Sequence, residues 1–345
     1  MSDKKERIIL DVAYQPQVRT DINTQRLMLD VLIALIPAAA VGVYQFGAHA
    51  LLVMACSVAS AVFFEWGYRK LTKKTASIDD LSAVVTGLLL ALTMPANCPA
   101  WIPVIGTFFA IVVVKQLYGG IGKNFLNPAL AGRAFLLASY STALSGSYLV
   151  PRGLKGAVDA VTMATPLSTL YGSGRMPAVY TLPSLFLGNM PGAIGEISAL
   201  ALLLGGAYLV YRKVITWHIP VSFIGTVFLL SLIFGGGGNL GHGEYAMYAV
   251  LSGGLMLASI FMATDYATSP VTLKGQLLYG FGCGAITVLI RKFGSYPEGV
   301  TYAILIMNLC AWAIDKAFHR HQFGVTKEDI EAEKAAKKAA KEAAK

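Results

Sequence analysis

Charge is what this 345-residue sequence has least of: Asp, Glu, Lys and Arg make up 14% of it, against roughly 25% in ordinary soluble domains. With 55% hydrophobic residues and a mean hydropathy of +0.60, that shortage excludes a soluble globular fold and points to an integral membrane protein. Cysteine is scarce too. Cys56, Cys98, Cys283 and Cys310 stand far apart, with neither a CxxC pair nor Cys/His spacing, so they read as small apolar packing residues rather than metal or cluster ligands. No cleavable leader is expected, because the first apolar run follows a polar stretch, Met1 to Asp30, that contains Pro16, and no small-residue cleavage site follows it. The net charge of +9 does not mark a nucleic-acid binder, since Lys and Arg fall in short clusters between apolar runs rather than on one face.

Apolar runs are what the chain does have. About 20 residues are needed for a helix to cross the hydrocarbon core, and ten segments qualify: 27–47, 49–68, 79–95, 101–118, 125–144, 193–211, 215–234, 245–263, 273–291 and 298–318. The expected fold is an all-α polytopic membrane protein of about ten transmembrane helices. With the N-terminus inside, 22 of the 28 Lys and Arg fall on the cytoplasmic side and five outside, while Arg133 lies within a span, as the positive-inside rule requires. The leader 1–26 and the tail 319–345 then face the cytoplasm. The membrane halves are 27–144 and 193–318, and the loop 145–192 between them lies outside. The tail is rich in Ala, Glu and Lys and suits a solvated or membrane-surface helix.

Halves of five spans run in opposite directions, the arrangement of two inverted five-helix repeats. A short echo agrees: Val84-Val85-Thr86-Gly87-Leu88 in the third span resembles Val250-Leu251-Ser252-Gly253-Gly254 in the eighth.

Polar residues at membrane depth are expensive and face protein or water-filled cavities. Residues 119–135 gather Asn124, Asn127, Pro128 and Arg133 among small residues, consistent with a tight turn feeding a broken helix, or with a cofactor partner at Arg133. Asp265, near Thr268, Ser269 and Pro270, reads as a cap for the next helix or as a group that handles a cation. Asp30, Glu65 and Asp315 lie near span ends and read as interfacial carboxylates.

The external loop carries Asp159-Ala160-Val161-Thr162-Met163-Ala164-Thr165-Pro166-Leu167. A threonine hydroxyl needs a base to attack, and no His or Cys stands near Thr165 in the sequence, which argues against a protease or esterase. Thr165 can instead be an attachment point, its hydroxyl esterified to a phosphate-bearing cofactor. Asp159 would bind a metal during transfer or cap a turn, and Pro166 restricts Thr165 to extended backbone.

This stretch resembles the flavinylation motif, Asp-x-x-Ser/Thr-x-Ala-Thr, of the RnfD and NqrB family of membrane subunits. Gly122 to Ala129, Gly195-Glu196-Ile197-Ser198, Met262-Ala263-Thr264-Asp265 and Pro297-Glu298-Gly299 are similar to that family's landmarks in the same order, and length favours its RnfD branch. Met163 departs from the glycine common there.

The resemblance implies that Thr165 carries FMN through a phosphoester, with Asp159 and Thr162 beside it, installed by a flavin transferase using FAD and Mg²⁺. It further implies a second, non-covalent flavin (riboflavin), for which Asn124 and Arg133 are candidate partners. The implied role is electron relay between reduced ferredoxin and NAD, driving Na⁺ or H⁺ across the cell membrane, with RnfA, RnfB, RnfC, RnfE and RnfG as partner subunits. A solute channel or secondary transporter without a redox role is the competing expectation.

Overall fold

The computed structural model describes residues 23–73, 78–145, 148–154, 162–173, 176–177, 179–235, 240–294 and 298–318. Residues 1–22 of the leader, the charged tail and Asp159 therefore lie outside the described residues. What is described is mostly helix. Four helices are long and apolar enough to cross a membrane: α1 (Thr24–Phe46), α2 (Ala48–Leu71), α13 (Leu273–Phe293) and α14 (Val300–Ala317). A fifth candidate is the pair α11 (His242–Leu251) and α12 (Leu255–Met262), bent by 63° at its break. Shorter apolar helices complete the set: α3 (Ser82–Leu92), α4 (Trp101–Gln116), α9 (Ala199–Tyr211) and α10 (His218–Phe234), with α5 (Pro128–Ser139) at the end of the first half.

The third expected span, 79–95, is α-helical only over Ser82–Leu92, after a 3-10 turn at Ile78–Asp80; the α-helix is roughly 16 Å long at 1.5 Å per residue, about half the hydrocarbon thickness. Pro95 cannot continue a helix. Irregular backbone at such depth survives only where protein satisfies it, and here it is satisfied: Ile194 N donates to Met94 O at 2.9 Å and Gly195 N to Leu92 O at 2.8 Å. Residues 190–198, which supply those donors, are buried throughout. The eighth expected span is broken likewise at Ser252–Gly254, where Gly253 takes a left-handed φ of +72°.

The segment between the halves folds onto the bundle. It comprises α6 (Ser141–Ser145), strands β1 (Tyr148–Leu149) and β2 (Thr162–Met163), then α7 (Pro166–Ser173) and α8 (Leu182–Leu187). The strands pair antiparallel, Tyr148 opposite Met163 and Leu149 opposite Thr162, so Met163 occupies extended backbone that needs no glycine.

Candidate functional site

Thr165 stands between β2 and α7. Pro166 starts the helix, and Thr165 caps it: Oγ1 accepts from Ser168 N at 3.2 Å and the Thr165 carbonyl accepts from Thr169 N at 3.1 Å. The hydroxyl also donates to Ser168 Oγ at 3.1 Å. Behind it, Tyr180 donates to Ala164 O at 2.8 Å and Tyr248 of α11 donates to Tyr180 O at 2.8 Å. Burial pushes the Tyr180 phenol up to about 12, so it remains a donor at any physiological pH. A tyrosine relay thus ties the backbone beside Thr165 to α11.

Thr165 shares a small cleft with Pro166, Gly192, Glu196, Gly253 and Glu298. Glu196 and Glu298 also line the adjoining cleft around Arg133. Arg133 Nη1 donates to Glu196 Oε1 at 2.8 Å, and its Nη2 pairs with Glu298 Oε2. Tyr148 of β1 donates to Leu144 O at 3.1 Å and reaches Glu298 Oε1 at 3.4 Å. Burial, then the charges of Glu298 and Glu196, hold the Tyr148 phenol well above its ordinary range, which keeps it a donor. Gly254 makes room for this cluster, since a Cβ there would stand 2.4 Å from Glu196 Oε1.

A second site lies at the opposite end of the bundle. α9 starts just after Glu196 and ends beside a 420 Å³ cavity that Leu209 lines; α3, bonded to Gly195 at its far end, begins at the cavity with Ser82. The lining is mainly apolar, with Lys115, Asn124, Asn127 and Asp265 among its polar groups. Lys115 is 3% exposed and donates to Glu65 Oε2 at 2.8 Å and to Ser82 Oγ at 2.6 Å, while Gln116 Nε2 donates to Glu65 Oε1 at 2.8 Å. Asp265 holds the turn that follows α12, accepting from Thr268 Oγ1 at 3.3 Å, and Thr272 is the residue that caps α13.

The sequence-derived candidates therefore separate. Thr162 and Thr165 lie together, Thr162 exposed and its backbone in β2. Asn124 lines the large cavity, whereas Arg133 lies outside that lining, in the ion cluster with Glu196 and Glu298. Glu65, read from the sequence as an interfacial carboxylate, is fully buried against Lys115 and Gln116. Sequence reasoning did not pair Glu196, Glu298, Glu65 and Lys115; the only signal for the first two was their place in family landmarks.

The profile of the NQR2, RnfD, RnfE family matches residues 11–324. The chain belongs to that family. Three relatives fill in its neighbourhood, each the D subunit of a translocating oxidoreductase complex. That of the Na(+)-translocating ferredoxin:NAD(+) oxidoreductase complex of Acetobacterium woodii is 46% identical, covering 94% of this chain and 98% of its own. That of the proton-translocating ferredoxin:NAD(+) oxidoreductase complex of Clostridium ljungdahlii is 42% identical over 92% and 96%. That of the ion-translocating oxidoreductase complex of Shewanella amazonensis is 37% identical over 91% and 97%. The expected RnfD likeness is borne out, and the breaks at Pro95 and Gly253 belong to a polytopic membrane protein of the NQR2, RnfD, RnfE family.

Proposed function

We propose that this chain is the D subunit of an ion-translocating ferredoxin:NAD oxidoreductase, acting within a multi-subunit Rnf complex, and that Thr165 is its covalent FMN attachment site. The observation that carries the second statement is the position of Thr165 as the N-cap of α7. A phosphate esterified to Oγ1 would stand at a helix N-terminus, where unpaired N–H groups and the helix dipole favour an anion. In the expected orientation this loop is external, both termini are cytoplasmic, and the five-span halves are inverted repeats.

Once attached, the isoalloxazine supplies the redox chemistry. The chain's own contribution is placement. Tyr180 and Tyr248 fix the backbone of Ala164 against α11, Pro166 holds Thr165 extended, and the Arg133 cluster packs beneath. Asp159 and Thr162 assist the transferase rather than electron relay. At the far end, 420 Å³ lies within the ordinary range for small-molecule pockets, about 300–1,000 Å³, and suits a second, non-covalent flavin. Asn124 is then its nearest amide partner from the sequence-derived set.

Purification of the full chain from cells holding a flavin transferase, followed by denaturing electrophoresis, tests the attachment. Flavin fluorescence should migrate with the polypeptide and vanish in Thr165→Ala. A dark wild-type band would refute the reading.

A further inference from the structure

Arg291, near the C-terminal end of α13, is the least satisfied charge among the described residues. It is 3% exposed, and Nη1 donates to Ala249 O at 2.7 Å. Its Nε and Nη2 have no hydrogen-bond partner. A guanidinium stays charged inside protein, and leaving its donors unmade there is costly. Tyr171 offers only a ring face, with Arg291 Cζ 6.0 Å from its centroid. The position near a helix C-terminus suits a cation, but explains neither the burial nor the idle fork.

What lies beside the idle fork is the Thr165 cleft. A Cβ on Gly253 would meet Leu167 Cδ2 at 2.7 Å and Arg291 Nη2 at 3.6 Å, so Gly253 stands between that nitrogen and the first turn of α7. Gly253 lines the cleft together with Thr165. The cleft is about 10 Å³, enough for about one water-sized guest and far too small for a flavin ring. It matches a single oxygen of a phosphoryl group. Glu196 and Glu298, the cleft's two acids, are hydrogen-bonded by Arg133, and the Arg291 charge acts on Glu196 through space without a hydrogen bond, so its Nε and Nη2 donors stay unused.

We propose that Arg291 is the positioning residue for the phosphate ester on Thr165, its free donors facing an ester oxygen that enters the cleft past Gly253. The inference rests on the reading of Thr165 as the attachment site. A planar fork recognises phosphate oxygens better than a lysine point charge does, and Gly253 is required because any side chain would close the gap.

The test is a thermodynamic cycle on the full chain, co-expressed with the transferase. Arg291→Gln and Arg291→Lys are each made in the wild-type and Thr165→Ala backgrounds. In flavinylated protein Arg291→Gln should lower the melting temperature and move the ³¹P resonance of the ester. In the Thr165→Ala background, where no ester forms, the same change should lower the melting temperature markedly less, the remaining loss coming from the Ala249 hydrogen bond and the attraction to Glu196. Equal losses in both backgrounds would make Arg291 a packing residue and overturn the proposal. So would a ³¹P resonance unmoved by either substitution. Should Arg291→Gln fail to accumulate, Arg291→Lys supplies the same comparison. A wild-type chain without covalent flavin would refute the attachment reading itself, and the proposal with it, a result separable from the other two.

Discussion

Arg133 and Glu196 meet at 2.8 Å with both side chains buried, and this pair joins α5 to the irregular segment that leads into α9. Two charges removed from water are tolerable only as partners. Arg133→Gln would leave Glu196 and Glu298 without their cation and should destabilise the chain by about 3–5 kcal/mol, the usual penalty for breaking a buried pair. Thermal unfolding of the purified chain in detergent measures it. Arg133→Lys, which keeps the charge but loses the two-pronged geometry, should fall between wild type and Arg133→Gln.

The Glu65–Lys115 pair at the opposite end answers to the same physics. Lys115 has Ser82 as a second acceptor and Glu65 has Gln116 as a second donor. Glu65→Gln should destabilise by several kcal/mol, with Lys115→Met in the same chain recovering part of the loss, since the double variant buries no unpaired charge. Melting curves of the two single variants and the double variant decide it.

Gly254 is a steric requirement. Any Cβ would stand 2.4 Å from Glu196 Oε1, so Gly254→Ala must push the carboxylate off Arg133 and should cost about 1–3 kcal/mol. Gly225, with nothing within 4 Å of its added Cβ, is the control: Gly225→Ala should leave the melting temperature unchanged or slightly higher, helix propensity favouring Ala.

Much of this was legible in the sequence because it is periodic or compositional. Membrane character and helix content follow from apolar runs, and residues 119–135, read as a turn feeding a broken helix, do lead into α5, where Asn127 accepts from Ala129 N at 3.0 Å. Thr165 stood out in the sequence because a short local motif surrounds it. What escaped was long-range. Nothing local tells that Arg133 faces Glu298, 165 positions later, or that Lys115, counted as a topology signal, is buried against Glu65. The shortening of α3 was hidden for a related reason: residues 93–95 fit the end of an apolar run, and only the bonding of Leu92 and Met94 to residues 194–195 shows that the chain leaves the helix there.

The cavity makes a separable prediction. Ala129, 2% exposed, lines it, and Ala129→Phe would fill much of the space. Flavin extractable by denaturation without covalent cleavage should fall, because the filled cavity no longer has the volume of a small-molecule pocket, while fluorescence bound to the polypeptide stays at the wild-type level. Parallel loss of both would show that the two ends are not independent.

Covalent attachment is the central claim, and peptide mass spectrometry of the full chain made with a flavin transferase tests it most directly. The peptide spanning Thr165 should carry the mass of one FMN less one water, localised by fragmentation to Thr165 and absent from Thr162. An unmodified Thr165 peptide, or FMN localised to any other residue, would contradict it.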